Sequence, residues 1–308
     1  MTRGRARLRL RSAFALLAVL WVMTAASLLA ITMRVAAGDA IAATRNRIHL
    51  SRAAWIAEGC VEHARAAIGD ALRTEQRAAS AWNDLEAVVA AVPAADGCEV
   101  GARPSGITVS VNDSIDAMRG LLRAIGEAPE RADSLVDALA DWQDADDSPR
   151  LGGAERAWYE SRRRTRPRNG PLGAAAELKL VRGFEQLSQL DSLVGVERER
   201  IVLGRAPLAV VAALPGMTSE AVARVAQSRA AGETITDLTV FANALSGESR
   251  DVLLAHYAEL VGRTAFTPDA WTLTGSASAG EPPVRATVEL RIVRDGTRAA
   301  IVRRRSWP

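Results

Sequence analysis

Four aspartates, Asp141, Asp144, Asp146 and Asp147, fall within one run of seven residues, Asp-Trp-Gln-Asp-Ala-Asp-Asp. Hard carboxylate oxygens at that spacing suit calcium, which accepts about 6–8 oxygens in irregular geometry. The run is not an EF-hand, because neither the required glycine nor the distal glutamate is in register. Three other roles compete: a solvated helix end, a turn capped by aspartate side chains, or a partner for the run Arg162-Arg163-Arg164-Thr165-Arg166-Pro167-Arg168. Those arginines could instead hold a phosphate, which would show as salt-dependent binding. Cys60 and Cys98 are the two cysteines, an even pair that forms a disulfide in an oxidising compartment and is otherwise two separate buried thiols. His49, His63 and His256 are scattered, so no His/Cys metal cluster is expected. No nucleophile–base pair, catalytic metal motif or phosphate loop stands out, so we expect no enzyme and no required cofactor beyond possible calcium.

The acidic run ends a helix expected from about Ala132 to Trp142. Before it, Asn112-Asp113-Ser114 caps a helix carrying Ile115, Met118, Leu121, Leu122 and Ile125. After it, Arg168-Asn169-Gly170-Pro171-Leu172 is a turn, and Glu177 to Gly183 reads as the end of a further helix. Ala206 to Val225 reads helix, tight turn, helix, with Leu214, Pro215 and Gly216 as the hairpin and Thr218 or Ser219 as the next cap. In helix-hairpin-helix proteins such a turn faces a phosphate. Phe241, Leu245, Val252, Leu253 and Tyr257 add a helical layer. Ile107 to Val111, Ala270 to Thr274, Val284 to Ile292 and Arg298 to Arg304 alternate as strands, with Asp295-Gly296 as a hairpin turn.

All of this comes after an uncharged apolar stretch, Phe14 to Met33, that is long enough to span a bilayer core as a helix of roughly 30 Å. Five arginines from Arg3 to Arg11 precede it and favour a cytoplasmic N-terminus. Beyond it the chain stays rich in helix formers, with Ile41, Ile48 and Trp55 seven residues apart, then Val61, Ala64, Ile68 and Leu72 at helical spacing. The net charge of +3 over 308 residues comes from the leader, which argues against a nucleic-acid binder with a broad basic surface. The apolar stretch is a signal peptide cut near Ala36-Ala37-Gly38, a plain anchor, or a helix kept after cleavage ahead of it.

Arg11-Ser-Ala-Phe-Ala-Leu-Leu-Ala-Val-Leu-Trp21 resembles the start of type IV pilin-like proteins. The resemblance implies cleavage between Ala13 and Phe14 by a prepilin peptidase, with methylation of the new N-terminus. Ala13 replaces the usual glycine, and Ala18 stands where most such proteins carry glutamate. The series Asp141-Trp-x-Asp-x-Asp, Asn169-Gly-Pro-Leu and Glu177-Leu-x-Leu-Val-x-Gly183 is similar to the K-type minor pseudopilins of type II secretion, the GspK family. Gly204-Arg205-Ala206 departs from that family's Asn-Thr-Ala. The resemblance implies an α+β fold: a pilin-like long N-terminal helix, a small antiparallel sheet and a large, mainly helical insert with a helix-hairpin-helix-like unit.

The expected division is a basic leader over 1–13, a transmembrane part over 14–33 and a periplasmic continuation of the helix over 34–92. The sheet takes 93–111 and 264–305, and the insert 112–190 and 191–263. The implied protein sits in a bacterial inner membrane with its bulk periplasmic. It joins I- and J-type minor pseudopilins at a pseudopilus tip, limits filament growth, meets the inner-membrane secretion platform, and carries calcium in its acidic loop. The alternative is a membrane-anchored periplasmic protein that binds or takes up DNA through the hairpin, with Arg224 and Arg229 as contacts.

Overall fold

The computed structural model describes residues 3–73, 75–93 and 97–307, with side chains outside 3–14 and 75–77. One helix, α1, runs unbroken from Arg3 to Leu72. Its residues 15–48 are exposed, Ile41, Ile48 and Trp55 among the exposed apolar side chains. Ala15–Leu72 contains the span that is long and apolar enough to cross a membrane. Farther on, Ala53, Ala57, Val61, Ala64, Ile68 and Leu72 are fully buried. Their spacing of three and four residues puts them on one face of the helix.

That face lies on a four-stranded antiparallel sheet in the order β1 (Cys98–Pro104), β6 (Ala270–Ala279), β7 (Val284–Asp295), β8 (Arg298–Trp307). Trp271, Leu273 and Gly275 of β6 pair with Ile292, Leu290 and Val288 of β7. Period-two alternation turns these residues to the helix, where they form one core with Val61, Ile68 and Leu72. At Gly275 an added Cβ would stand 2.2 Å from Val61 Cγ2 and 2.8 Å from the Ala57 carbonyl, so helix and sheet touch backbone to side chain there.

The helix expected to run to residue 92 stops at Leu72. The chain folds back as α2 (Glu75–Asn83) and α3 (Leu85–Ala90), with Asp84 capping α3. A straight continuation would carry Trp82, Leu85 and Val89 into solvent, whereas the fold-back buries them in the same core. Ile107 to Val111 also differs from expectation. The chain turns out of the sheet at Gly106, whose φ is 72°. It then forms β2 (Val109–Ser110), paired in parallel with β3 (Val194–Gly195).

Between β1 and β6 lies the helical body with a second core. It comprises α4 (Ile115–Ala124), α5 (Pro129–Gln143), α6 (Arg156–Ser161), α7 (Leu208–Ala212) and α8 (Ser219–Ala230). It also holds α9 (Leu238–Asn243), α10 (Gly247–Ala255) and α11 (Tyr257–Arg263). β4 (Ile201–Val202) pairs in parallel with β5 (Thr264–Ala265), the two bracketing the stretch from α7 to α11. Glu177 to Gly183 does not end an α-helix: Ala175–Leu180 is a 3-10 helix that ends at an extended Val181, and Gly183 turns beyond it at φ 88°.

Head and helical body meet along a row of ion pairs. Glu197 pairs with Arg303, Glu199 with Arg291 at 2.6 Å, Arg200 with Asp269, and Arg205 with Glu86 at 2.6 Å.

Cys60 on α1 and Cys98 on β1 are disulfide-bonded, with Cα atoms 6.5 Å apart and a sequence separation of 38. A cross-link of that loop length contributes about 2–4 kcal/mol. Replacing both cysteines with alanine is therefore expected to lower the free energy of urea unfolding by that amount. An unchanged midpoint would show that the bond adds nothing to the packing of α1 on the sheet.

Candidate functional site

α5 begins with Pro129 in its first turn and Glu130 beside it, both suited to a helix N-terminus. Leu135, Val136, Leu139 and Trp142 face the second core, and Trp142 packs edge-on to Tyr159 at 5.2 Å between centroids. The turn that buries Trp142 also buries Asp141 completely. Asp144 caps the helix end through its N–H to the Ala140 carbonyl at 2.9 Å. Two carboxylates thus stand at the negative end of a helix, where a cation is favoured.

The chain returns to this end through Gly152 and Gly153. An added Cβ at Gly152 would fall 2.6 Å from Ser134 Cα, and at Gly153 1.9 Å from Asp141 Oδ2. Ser134 Oγ donates to the Gly152 carbonyl, Gly152 N–H donates to Asp137, and Arg182 donates to the Gly153 carbonyl, at 3.0, 3.0 and 2.7 Å. This close approach delivers Glu155, the residue before α6, to the helix end. Glu155 is 3 % exposed. One carboxylate oxygen from each of Asp141, Asp144 and Glu155 lies within 4.8 Å of the others. Asp144 Oδ1 and both oxygens of Glu155 have no hydrogen-bond partner.

Arg150 reaches into the same place. Its backbone N–H donates to Asp141 Oδ2 at 3.2 Å, and Nη1 donates to Asp141 Oδ1 at 2.6 Å and Asp144 Oδ2 at 2.5 Å. The bonds to Asp144, then Asp141, hold its pKa above the ordinary arginine value.

Burial, then the charges of Asp141 and Asp144, push the Glu155 carboxyl up to about 7 from its usual 4.5. A carboxyl with a raised folded-state pKa binds more protons folded than unfolded, so stability is fully present below the unfolded value and falls as pH rises through the folded one. With chelator present, the melting temperature is expected to drop between pH 5 and 7.5, and Glu155→Gln to flatten that part of the curve. A curve of the same slope in both proteins would place the titration elsewhere.

Asp141 and Asp144 therefore come together, whereas Asp146 and Asp147 stay outside the cluster. Asp146 accepts the Ser148 N–H at 2.8 Å, and Asp147 lies 3.6 Å from Arg156. The third carboxylate, Glu155, was not among the candidates read from the sequence. Its one signal was the Gly-Gly pair two residues before it. The cluster offers carboxylate oxygen and neither sulfur nor imidazole, which fits a hard cation such as calcium. Asp141, Asp144 and Glu155 would hold such an ion, with the unpartnered oxygens of Asp144 and Glu155 among its donors.

The arginine run does not pair with the acidic loop. Arg164 pairs with Glu185, Arg166 with Glu160 at 2.8 Å and Arg168 with Glu177 at 2.9 Å. Arg162, Arg164 and Arg182 surround the Trp158 ring at 4.4, 5.5 and 5.2 Å.

The hairpin is present but covered. Gly216 turns at φ 74°, and an added Cβ would sit 3.2 Å from Leu253 Cα of α10. Thr218 caps α8 and donates to Ser249, while Glu220 accepts from Ser246. A phosphate at that helix start would meet Glu220. Arg229 donates to the Leu203 carbonyl at 3.1 Å, so one of the two arginines expected to contact DNA is engaged inside the protein.

The expected leader cut between Ala13 and Phe14 falls where side chains lie outside the described residues.

Residues 101–194 match the family model described as type II secretion system protein K. No curated protein matches the chain. Among solved structures, a chain in the crystal structure of the GspK–GspI–GspJ complex from the type 2 secretion system of enterotoxigenic Escherichia coli shares the fold. The TM-score is 0.63 at 18 % identity, over 86 % of this chain and 99 % of that one. Residues 101–194 are thus similar to a protein K domain, and the chain as a whole shares the α+β fold of that solved chain, a long N-terminal helix on a small antiparallel sheet with a mainly helical remainder.

Proposed function

We propose that this chain works at the tip of a type II secretion pseudopilus, together with I- and J-type minor pseudopilins. The observation that carries the reading is the distribution of burial along α1. Its residues 15–48 are exposed, its last third is sealed on the sheet from Ala53 to Leu72, and the helical body lies at the sheet. An exposed apolar helix needs a bilayer or neighbouring helices. Ala18 leaves the upper part without the buried carboxylate that would answer a subunit stacked above. The bulk of the helical body then hinders further addition and limits growth during protein export.

In the same reading the leader is removed between Ala13 and Phe14 by a prepilin peptidase. The helix sits in the inner membrane with its N-terminus cytoplasmic and the rest periplasmic, within reach of the secretion platform. Calcium bound by Asp141, Asp144 and Glu155 offsets most of the charge of three crowded carboxylates and ties α5 to α6.

Co-expression with I- and J-type partners and a subsequent pull-down test the reading. The expected product is a salt-resistant ternary complex in which this chain has the mass of a methylated Phe14 start. Salt-sensitive DNA binding with no partner retained would overturn it.

A further inference from the structure

We infer that Arg150 is a resident counter-ion that occupies the cation position and must leave it when the ion binds. This rests on the calcium reading above and adds an occupant from the chain itself. Calcium lies about 2.3–2.6 Å from its oxygen ligands. Arg150 Nη1 stands 2.6 Å from Asp141 Oδ1 and 2.5 Å from Asp144 Oδ2, the place an ion bridging those two oxygens would take. Guanidinium and ion cannot share it.

The arginine fills only part of the site. It leaves Asp144 Oδ1 and both oxygens of the buried Glu155 without partners, so the cluster carries more negative charge and more open acceptors than one guanidinium satisfies. An ion can use them; the planar fork, held from one side, does not. The side chain is also free to go. Arg150 is exposed, and its anchorage to Asp141 includes a backbone N–H that does not depend on the side chain. The site therefore exchanges one positive group for another and does not open from an empty, repelling state.

An internal competitor lowers the apparent affinity by the fraction of molecules in which it is out of the way. The experiment uses the full chain in detergent, titrated with calcium chloride by calorimetry and melted with calcium or with chelator. Arg150→Gln is expected to bind calcium roughly tenfold more tightly than the parent protein. Arg150→Lys, which keeps the charge but loses the fork, is expected to fall between them, and it serves if the glutamine variant does not fold. Arg156→Gln, which removes a nearby charge paired outside the cluster, is expected to change affinity less than about twofold. In chelator Arg150→Gln should melt below the parent; in saturating calcium the two should melt together, because the arginine is then out of the site in both.

Calcium affinity unchanged or weakened by Arg150→Gln, an equal gain from Arg156→Gln, or a melting deficit that persists in calcium would each overturn the exchange while leaving the calcium site standing. Absence of calcium binding in both parent and Arg150→Gln overturns the calcium reading and the exchange with it.

Discussion

Trp271→Ala is expected to destabilise the head by about 3–5 kcal/mol, the range for emptying a buried aromatic site. Trp271 is fully buried beneath α1 and α2. Its indole N–H donates to the Trp82 carbonyl at 2.8 Å, and Trp82 in turn donates to the Pro268 carbonyl at 2.8 Å. Arg205, from the helical body, lies over the Trp271 ring at 5.2 Å. One side chain therefore joins the sheet, the fold-back helices and the inserted body. Alanine would leave a cavity, orphan the Trp82 carbonyl and remove the ring under Arg205. Trp271→Phe keeps most of the volume and loses the hydrogen bond, so a cost nearer 1 kcal/mol is expected. Urea unfolding monitored by tryptophan fluorescence would measure both. Equal costs for the two variants would show that packing around the ring is looser than its burial implies.

The second large effect is expected at Gly153→Ala, which should weaken calcium binding by about 10–100-fold, as loss of a group that orients metal ligands does. The added methyl would stand 1.9 Å from Asp141 Oδ2. Either the loop lifts, taking Glu155 with it, or Asp141 turns away; both dismantle the cluster. Gly170→Ala, with nothing within 4 Å of the added Cβ, is the matched control and should bind as the parent does. Calorimetric titration distinguishes them. Parent-like binding in Gly153→Ala would mean that the ligands are not those at this helix end.

Local rules made much of the fold readable. β7 alternates between buried and more exposed residues, and α4 and α8 announce themselves by Ser114 and Thr218, whose side chains do accept the expected N–H groups. Features that depend on distant burial were not readable. No residue near Leu72 says that the helix must stop; Trp82 stops it by finding Trp271, far along the chain. Ile107 to Val111 has a strand's composition but comes after a left-handed Gly106 that takes it out of the sheet. The site divides the same way. Asp141 and Asp144 are neighbours on one helix end, whereas Glu155 arrives by a loop whose path is set by two glycines meeting Ser134 and Asp141. Arg150 was invisible for the same reason, since its role depends on where that loop returns.

A helix of 70 residues is a rod of about 105 Å. Its last third is fixed to the sheet by the buried face from Ala53 to Leu72 and by the Cys60–Cys98 bond. The sheet is fixed to the helical body by Glu197, Glu199, Arg200 and Arg205. No soft joint interrupts that series in the described residues. A push on the apolar end along the axis is therefore delivered undiminished to the far mass, as by a piston rod keyed to its head.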